Sequence, residues 1–230
     1  LGDPLLLRAW FENDVSFIEF ERGRLKEALE HSERSLALKQ QRTPPDLRDV
    51  GLSESNICLI LGVRGQPQEA LPHCARSAEL IERALGRSHP NTLNVWENQA
   101  LALVEVGRRD EGCPLAERVQ AYFTNTGDGV EARVILVATL ARCAIGRGRP
   151  EVARRLLEPT LAKATRGSAT EMELAELEWQ LALAVYATGD RPRGIDIASR
   201  AAKRYAALPD LAFRNHEIHT WLAARNKLDR

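Results

Sequence analysis

Five glycines recur along the chain at an almost fixed interval: Gly23, Gly65, Gly107, Gly148 and Gly189 are separated by 42, 42, 41 and 41 residues. A period of this length belongs to a chain of stacked copies of one supersecondary unit, each too small to bury its apolar face alone. The segments that begin at these glycines are GRLKEALEHSERSLAL, GQPQEALPHCARSAEL, GRRDEGCPLAERVQAY, GRPEVARRLLEPTLAK and GDRPRGIDIASRAAKR, and each follows another helical run. Glycine ends the first helix of each repeat, because it enters the left-handed region of a C-terminal cap without a Cβ clash. Pro67 and Pro150 then open a second helix, where a missing N–H costs nothing.

The columns of this register have a physical meaning. Seven residues before the glycine stand Ser16, Cys58, Ala100, Ala141 and Ala182; five after it stand Ala28, Ala70, Gly112, Ala153 and Gly194. Small side chains in both columns let two antiparallel helices cross closely. Turn-forming segments join the pairs: QRTPPD at 41–46, LGRSHPNT at 85–92, NTGDG at 125–129, RGSAT at 166–170 and LPD at 208–210. The expected fold is all-α, a right-handed superhelical solenoid of five helix pairs at about 5–40, 46–84, 90–124, 128–165 and 170–207, in a single domain over 1–230. A capping helix follows at about 210–228. Its expected outer face carries Arg214, Asn215 and Glu217, while Phe213, Ile218, Trp221 and Leu222 cover the last pair. Pro159 predicts a bend near Arg155 to Pro159.

Charge and hydropathy narrow the function. The 32 Lys and Arg balance 32 Asp and Glu, which removes the basic footprint of a nucleic-acid binder. No apolar run approaches the roughly 18 to 20 residues of a membrane span. The first residues read neither as an initiator start nor as a signal peptide, so the chain is expected to be an excised piece of something longer. Cys58, Cys74, Cys113 and Cys143, spaced 16, 39 and 30 apart, form no zinc framework and read as buried thiols in a reducing cytoplasm.

GRLKEALEHSERSLAL and GQPQEALPHCARSAEL resemble the tetratricopeptide repeat. The 41 to 42 residue spacing, with LGRSHPNT before WENQALALVEVG, is similar to the kinesin-light-chain type, in which a Leu-Gly-x-x-His-Pro-x-Thr linker precedes each first helix; here that linker occurs once. The order of repeats and the closing HEIHTWLAAR also resemble the C-terminal tails of large bacterial serine/threonine protein kinases, especially myxobacterial ones. No kinase catalytic motif is present in the sequence.

Candidate chemistry is sparse. His216, Glu217 and His219 have a spacing of three between the histidines, where a zinc-protease helix needs four, and no third ligand is evident. His31 and His73 share one repeat column and read as structural. Glu171 and Glu173, or Glu27 and Glu30, read as solvated faces on Arg-rich helices. No serine stands in a nucleophile elbow. The expectation is a chain without catalysis, cofactor or metal.

The inner face of the first helices is the informative surface, since stacked pairs curve and leave these helices lining a groove. The candidate groove residues are Trp10, Asn13, Asp14, Phe17, Asn56, Leu59, Glu97, Asn98, Leu101, Arg142, Trp179 and Gln180. One column, Asp14, Asn56, Asn98, Thr139 and Gln180, is polar in every repeat although Asn is a poor residue inside a helix. In the kinesin-light-chain type, asparagines at this position hold peptide main chain, and the resemblance carries that role to Asn56 and Asn98. The other reading is that these amides bridge neighbouring helices. The thirty positions expected to line the groove hold five acids, Asp14, Glu21, Glu97, Glu105 and Glu176, against the single base Arg142. A wall of one sign attracts the opposite charge. The expected function is therefore a protein- or peptide-binding module of a larger bacterial regulatory protein, taking an extended basic and apolar segment, with no nucleic-acid or membrane partner. Self-association as a homodimer, an autoinhibitory role and a peptide-effector sensor are the alternatives.

Overall fold

The computed structural model describes residues 3–127, 133–167 and 169–226. Among them are eleven α-helices and no strand. They are α1 (Pro4–Glu21), α2 (Leu25–Gln40), α3 (Leu47–Val63), α4 (Pro67–Leu85), α5 (Pro90–Glu105), α6 (Arg109–Thr126), α7 (Val134–Gly146), α8 (Pro150–Ala164), α9 (Glu171–Ala187), α10 (Arg191–Ala206) and α11 (Ala212–Asn226), with a 3₁₀ turn at Pro209–Leu211 before the last. Part of the NTGDG connection, one residue of RGSAT and the end of the capping segment lie outside the described residues.

All five periodic glycines have positive φ, from 70° to 100°. The four caps at Gly23, Gly65, Gly107 and Gly148 share one bonding pattern. The residue after the glycine donates its N–H five residues back, Arg24 to Glu19, Gln66 to Leu61, Arg108 to Leu103 and Arg149 to Ala144, at 2.8–2.9 Å. This satisfies the last carbonyls of the first helix and turns the chain into the second. The LGRSHPNT linker works similarly: Gly86 has φ 80°, Thr92 Oγ1 donates to its carbonyl at 2.7 Å, and His89 Nδ1 accepts from Asn91 N–H at 3.1 Å as the N-cap of α5. Pro159 does not interrupt α8, and Pro72 and Pro114 likewise stand inside α4 and α6.

The contacts cluster into two compact units, Leu1–Val119 and Gln120–Arg230. In the first, α1 packs on α2, α3 on α4, and each pair on the next through α2 with α3 and α4 with α5. In the second, α7 packs on α8, α8 on α9, α9 on α10 and α10 on α11. The small columns are buried: Ala28, Ala70, Ala100, Ala141, Ala153 and Ala182 are fully covered. The close approach is literal at Gly112, where a Cβ would stand 2.9 Å from the Ala100 carbonyl oxygen, and at Gly194, where it would stand 2.9 Å from the Tyr186 nitrogen.

The thiol expectation is overturned. Cys58 of α3 and Cys74 of α4 form a disulfide, Cα to Cα 5.1 Å, and among the described residues no cysteine is free. The reason is the repeat geometry, which brings positions 16 residues apart together where the two helices cross. The same two columns in the first pair hold Ser16 and Ser32, whose hydroxyls hydrogen-bond at 2.7 Å. A period-based register pairs them; linear cysteine spacing does not. The free-thiol ground for expecting a reducing compartment falls with it. No helix among the described residues is long and apolar enough to cross a membrane.

Candidate functional site

In the first unit, α1, α3 and α5 lie side by side, and the polar column links them. Asn56 Nδ2 donates to Asn13 Oδ1 at 2.8 Å, and Asn98 Nδ2 donates to Ser55 Oγ at 3.1 Å. Each amide thus reaches to the preceding first helix, one column back. An amide carries two N–H donors and an oxygen with two lone pairs, so one bridge leaves capacity unused. Asn13, Asn56 and Asn98 are half-buried, and the Asn56 and Asn98 oxygens and the Asn13 NH2 have no hydrogen-bond partner among the described residues. Beside this row Trp10 is 49% and Phe17 63% exposed, Leu59 is half-buried, and Asp14 is exposed with no ion-pair partner among the described residues. Leu101 and Glu97 are buried at 7% and 5% and present little to solvent.

The second unit treats the same columns differently. Arg142 of α7 donates to Glu176 Oε1 of α9 at 2.7 Å, and the Tyr205 hydroxyl of α10 donates to Glu176 Oε2 at 2.9 Å. Desolvation pushes the Glu176 carboxyl up, but Arg142, then Arg214, Tyr205 and Gln180 together hold it below its ordinary range. Burial, then the Glu176 charge, pushes the Tyr205 phenol well above its ordinary value. Trp179 and Gln180 are each 2% exposed. The Trp221 ring of α11 stands edge-on to Trp179, centroids 5.6 Å apart, and to Tyr186 at 5.0 Å, with the Arg225 guanidinium 4.3 Å over it. Thr139 Oγ1 donates to the Ile135 carbonyl of its own helix at 2.8 Å.

Several expectations change accordingly. Trp179 and Gln180 are interior residues, Trp179 against the Trp221 ring of α11, and Arg142 and Glu176, with side chains 13% and 20% exposed, pair with each other across α7 and α9. Arg214, expected outside, has a side chain only 12% exposed, drawn inward by Glu176, while Phe213, expected to cover the last pair, is 38% exposed. Ile218 is fully buried as expected. Tyr205 and Arg214 were invisible to a column argument confined to first helices.

The histidine column is structural. His31 Nδ1 lies 2.7 Å from Glu12 Oε2, and His73 Nδ1 lies 2.6 Å from Glu54 Oε2, both across a helix pair. Arg34 adds a 2.9 Å bond to Glu12. Against desolvation, which raises it, Arg34 and His31 hold the Glu12 carboxyl low. Glu171 pairs with Arg204, and Glu173 closes a capping box with Thr170 at the start of α9. His216 and His219 are exposed, and no group of three or more metal-ligating side chains occurs among the described residues.

Residues 49–111 match the tetratricopeptide repeat family. No curated protein matches the chain. Among solved structures, a putative kinesin light chain of Podosopora anserina with nearly identical TPR-like repeats is 22% identical, with TM-score 0.58 over 90% of this chain and 98% of that one. Bacillus thuringiensis PlcR, in complex with the peptide PapR7 and DNA, is 14% identical, with TM-score 0.67 over 91% of this chain and 73% of that one. A Rap protein complexed with competence and sporulation factor is 10% identical, with TM-score 0.69 over 91% of this chain and 57% of that one. At these identities the likeness is one of fold.

Proposed function

From the match of residues 49–111 to the tetratricopeptide repeat and a fold similar to that of a putative kinesin light chain, we propose that this chain is a peptide-binding module of a larger regulatory protein and that its first unit holds the binding face. The observation that carries this reading is the row Asn13, Asn56 and Asn98, which uses part of its hydrogen-bonding capacity to join α1, α3 and α5 and keeps the rest beside exposed Trp10 and Phe17. An extended main chain needs an alternating supply of donors and acceptors, and half-bonded amides at successive repeats provide both. The aromatic pair supplies the apolar anchors. Asp14 gives the face its negative charge, which favours a segment mixing basic and apolar residues. PlcR, whose fold is similar and which is seen in complex with the peptide PapR7, supports the reading.

Since the amides also bridge helices, replacing them would weaken fold and binding together. The cleaner test alters the anchors. Short random peptides displayed on phage and selected on the chain are expected to be rich in Arg or Lys with apolar residues, and to bind less well as salt rises. The double variant Trp10→Ala, Phe17→Ala should lose about tenfold in affinity by fluorescence anisotropy, as truncated anchors usually do, with an unchanged melting temperature. Failure to select any peptide, or selected peptides that are acidic or indifferent to this variant, overturns the proposal.

A further inference from the structure

The two bridges of the amide row are one construction used twice. Their acceptors, Asn13 and Ser55, are 42 residues apart, and so are their donors, Asn56 and Asn98. The second bridge is therefore the first carried forward by one repeat, from the junction of α1 with α3 to the junction of α3 with α5. Each leaves an amide oxygen unbonded, at Asn56 and at Asn98, on a half-buried side chain. A helix pair set ahead of α1 would cover neither junction. In the second unit the series does not recur, because Thr139 Oγ1 bonds its own helix and Gln180 is 2% exposed.

The distance between the two stations selects among extended ligands. Packed helices stand roughly 8–10 Å apart, and α3 packs directly on α5. A main chain that uses both oxygens must present the same edge at that interval. A β-strand does not: three of its residues span about 10 Å, but successive residues face opposite ways, so an N–H aimed at the first station has its counterpart three residues on turned away. A polyproline II segment does. With three residues per turn and about 3.1 Å per residue its pitch is about 9 Å, it makes no internal hydrogen bond, and every third N–H points the same way. We infer that the ligand of the first unit is a polyproline II segment, held by two main-chain N–H groups three residues apart that donate to Asn56 Oδ1 and Asn98 Oδ1. This rests on the peptide-binding reading above and adds to it a conformation and a class of sequence. Proline-rich segments, with φ already fixed at about −65°, lose least freedom on binding. The two donating residues cannot themselves be proline, whereas the two between them can.

A proline scan reads this spacing. The probe is the tightest peptide obtained by phage selection on the full chain, resynthesised with a fluorophore and with proline at each position in turn, its affinity measured by anisotropy. Two positions three apart are expected to lose about tenfold, the cost of leaving an acceptor without its donor, while proline at the two positions between them holds or improves affinity. Asn98→Ala should abolish the penalty at one of the two sensitive positions and spare it at the other, even though loss of its bridge lowers the melting temperature. Sensitive positions two apart, no sensitive position, proline rejected at the intervening residues, or both penalties unchanged in Asn98→Ala would each overturn the polyproline II inference and leave the peptide-binding reading standing. Failure to select any peptide overturns both.

Discussion

The first-helix columns of the two units start from the same register and end in opposite states. In the first unit they hold Asn13, Asn56 and Asn98, joined by single hydrogen bonds and flanked by exposed aromatic rings. In the second, first-helix positions hold the Arg142–Glu176 pair, Trp179 and Tyr186, met from α10 by the Tyr205 hydroxyl and from α11 by the Trp221 ring. The lesson concerns polar residues at repeat positions. A neutral amide can be half-satisfied by its neighbour and half left for a ligand at small cost, because water reaches it. A largely covered charge on a neighbouring first-helix column cannot, and must be paired within the fold. A repeat column therefore marks where a site can be, while the charge state and the cover decide whether it is one.

The largest effect that would sharpen this contrast is Glu176→Ala. It removes the carboxylate that accepts from both Arg142 and Tyr205 in a largely covered position, and losing one partner of such a pair costs about 3–5 kcal/mol; Asn56→Ala in the first unit should cost only about 1 kcal/mol, the worth of one hydrogen bond. Chemical denaturation of the two variants side by side measures both, and equal losses would erase the distinction drawn between the units. Next is the double variant Cys58→Ser, Cys74→Ser, which copies the Ser16–Ser32 pair into the second repeat. The chain should keep its helical circular dichroism and lose about 2–3 kcal/mol, from the entropy of a loop of roughly 15 residues; a loss near zero would mean that the cross-link adds nothing to a crossing already made by packing.

The smallest effect lies at Lys39. Lys39 is 4% exposed and its ammonium donates to Ser53 Oγ at 2.8 Å, where the following repeat has Ile81 and Val95 in the same two columns. Burial lowers its pKa, opposed by Asp49. Where pH lies between the folded pKa and the ordinary 10.5, the unfolded chain binds the extra proton, so stability rises with pH through that window. Lys39→Met should therefore stabilise the chain at neutral pH by about 1 kcal/mol, and the advantage over wild type should shrink as pH approaches 10.5. A constant difference across that range would show that the buried ammonium carries no penalty.

Helix pairing, caps and crossing points were legible in the sequence because they depend on backbone sterics that glycine, proline and small residues report directly. Gly23 and Gly65 announce their turns, and Gly112 announces a contact too close for a Cβ. The disulfide was not legible from cysteine spacing, since 16 residues acquire meaning only once the repeat register is folded into pairs. The candidate face was half legible. The column of amides located Asn56 and Asn98, and the capping helix was expected to lay Trp221 on the last pair, but Trp179, which that ring meets, was still placed in the open groove because the repeat columns were read without the cap. Arg214 was misplaced for the same reason: its inward pull is toward Glu176, a long-range charge that no local amphipathic pattern encodes.

The bridges from Asn56 to Asn13 and from Asn98 to Ser55 reach back one repeat and one residue, and this short reach governs how the molecule comes into being. A chain whose partners are never far apart along the sequence closes only small loops as it folds, so each ordering step loses little entropy before contacts repay it. Any hairpin can serve as the nucleus, and order then spreads to its neighbours one repeat at a time. The same amides that are proposed to meet a ligand thus also act as couplings in a one-dimensional folding reaction, transmitting order between adjacent helix pairs.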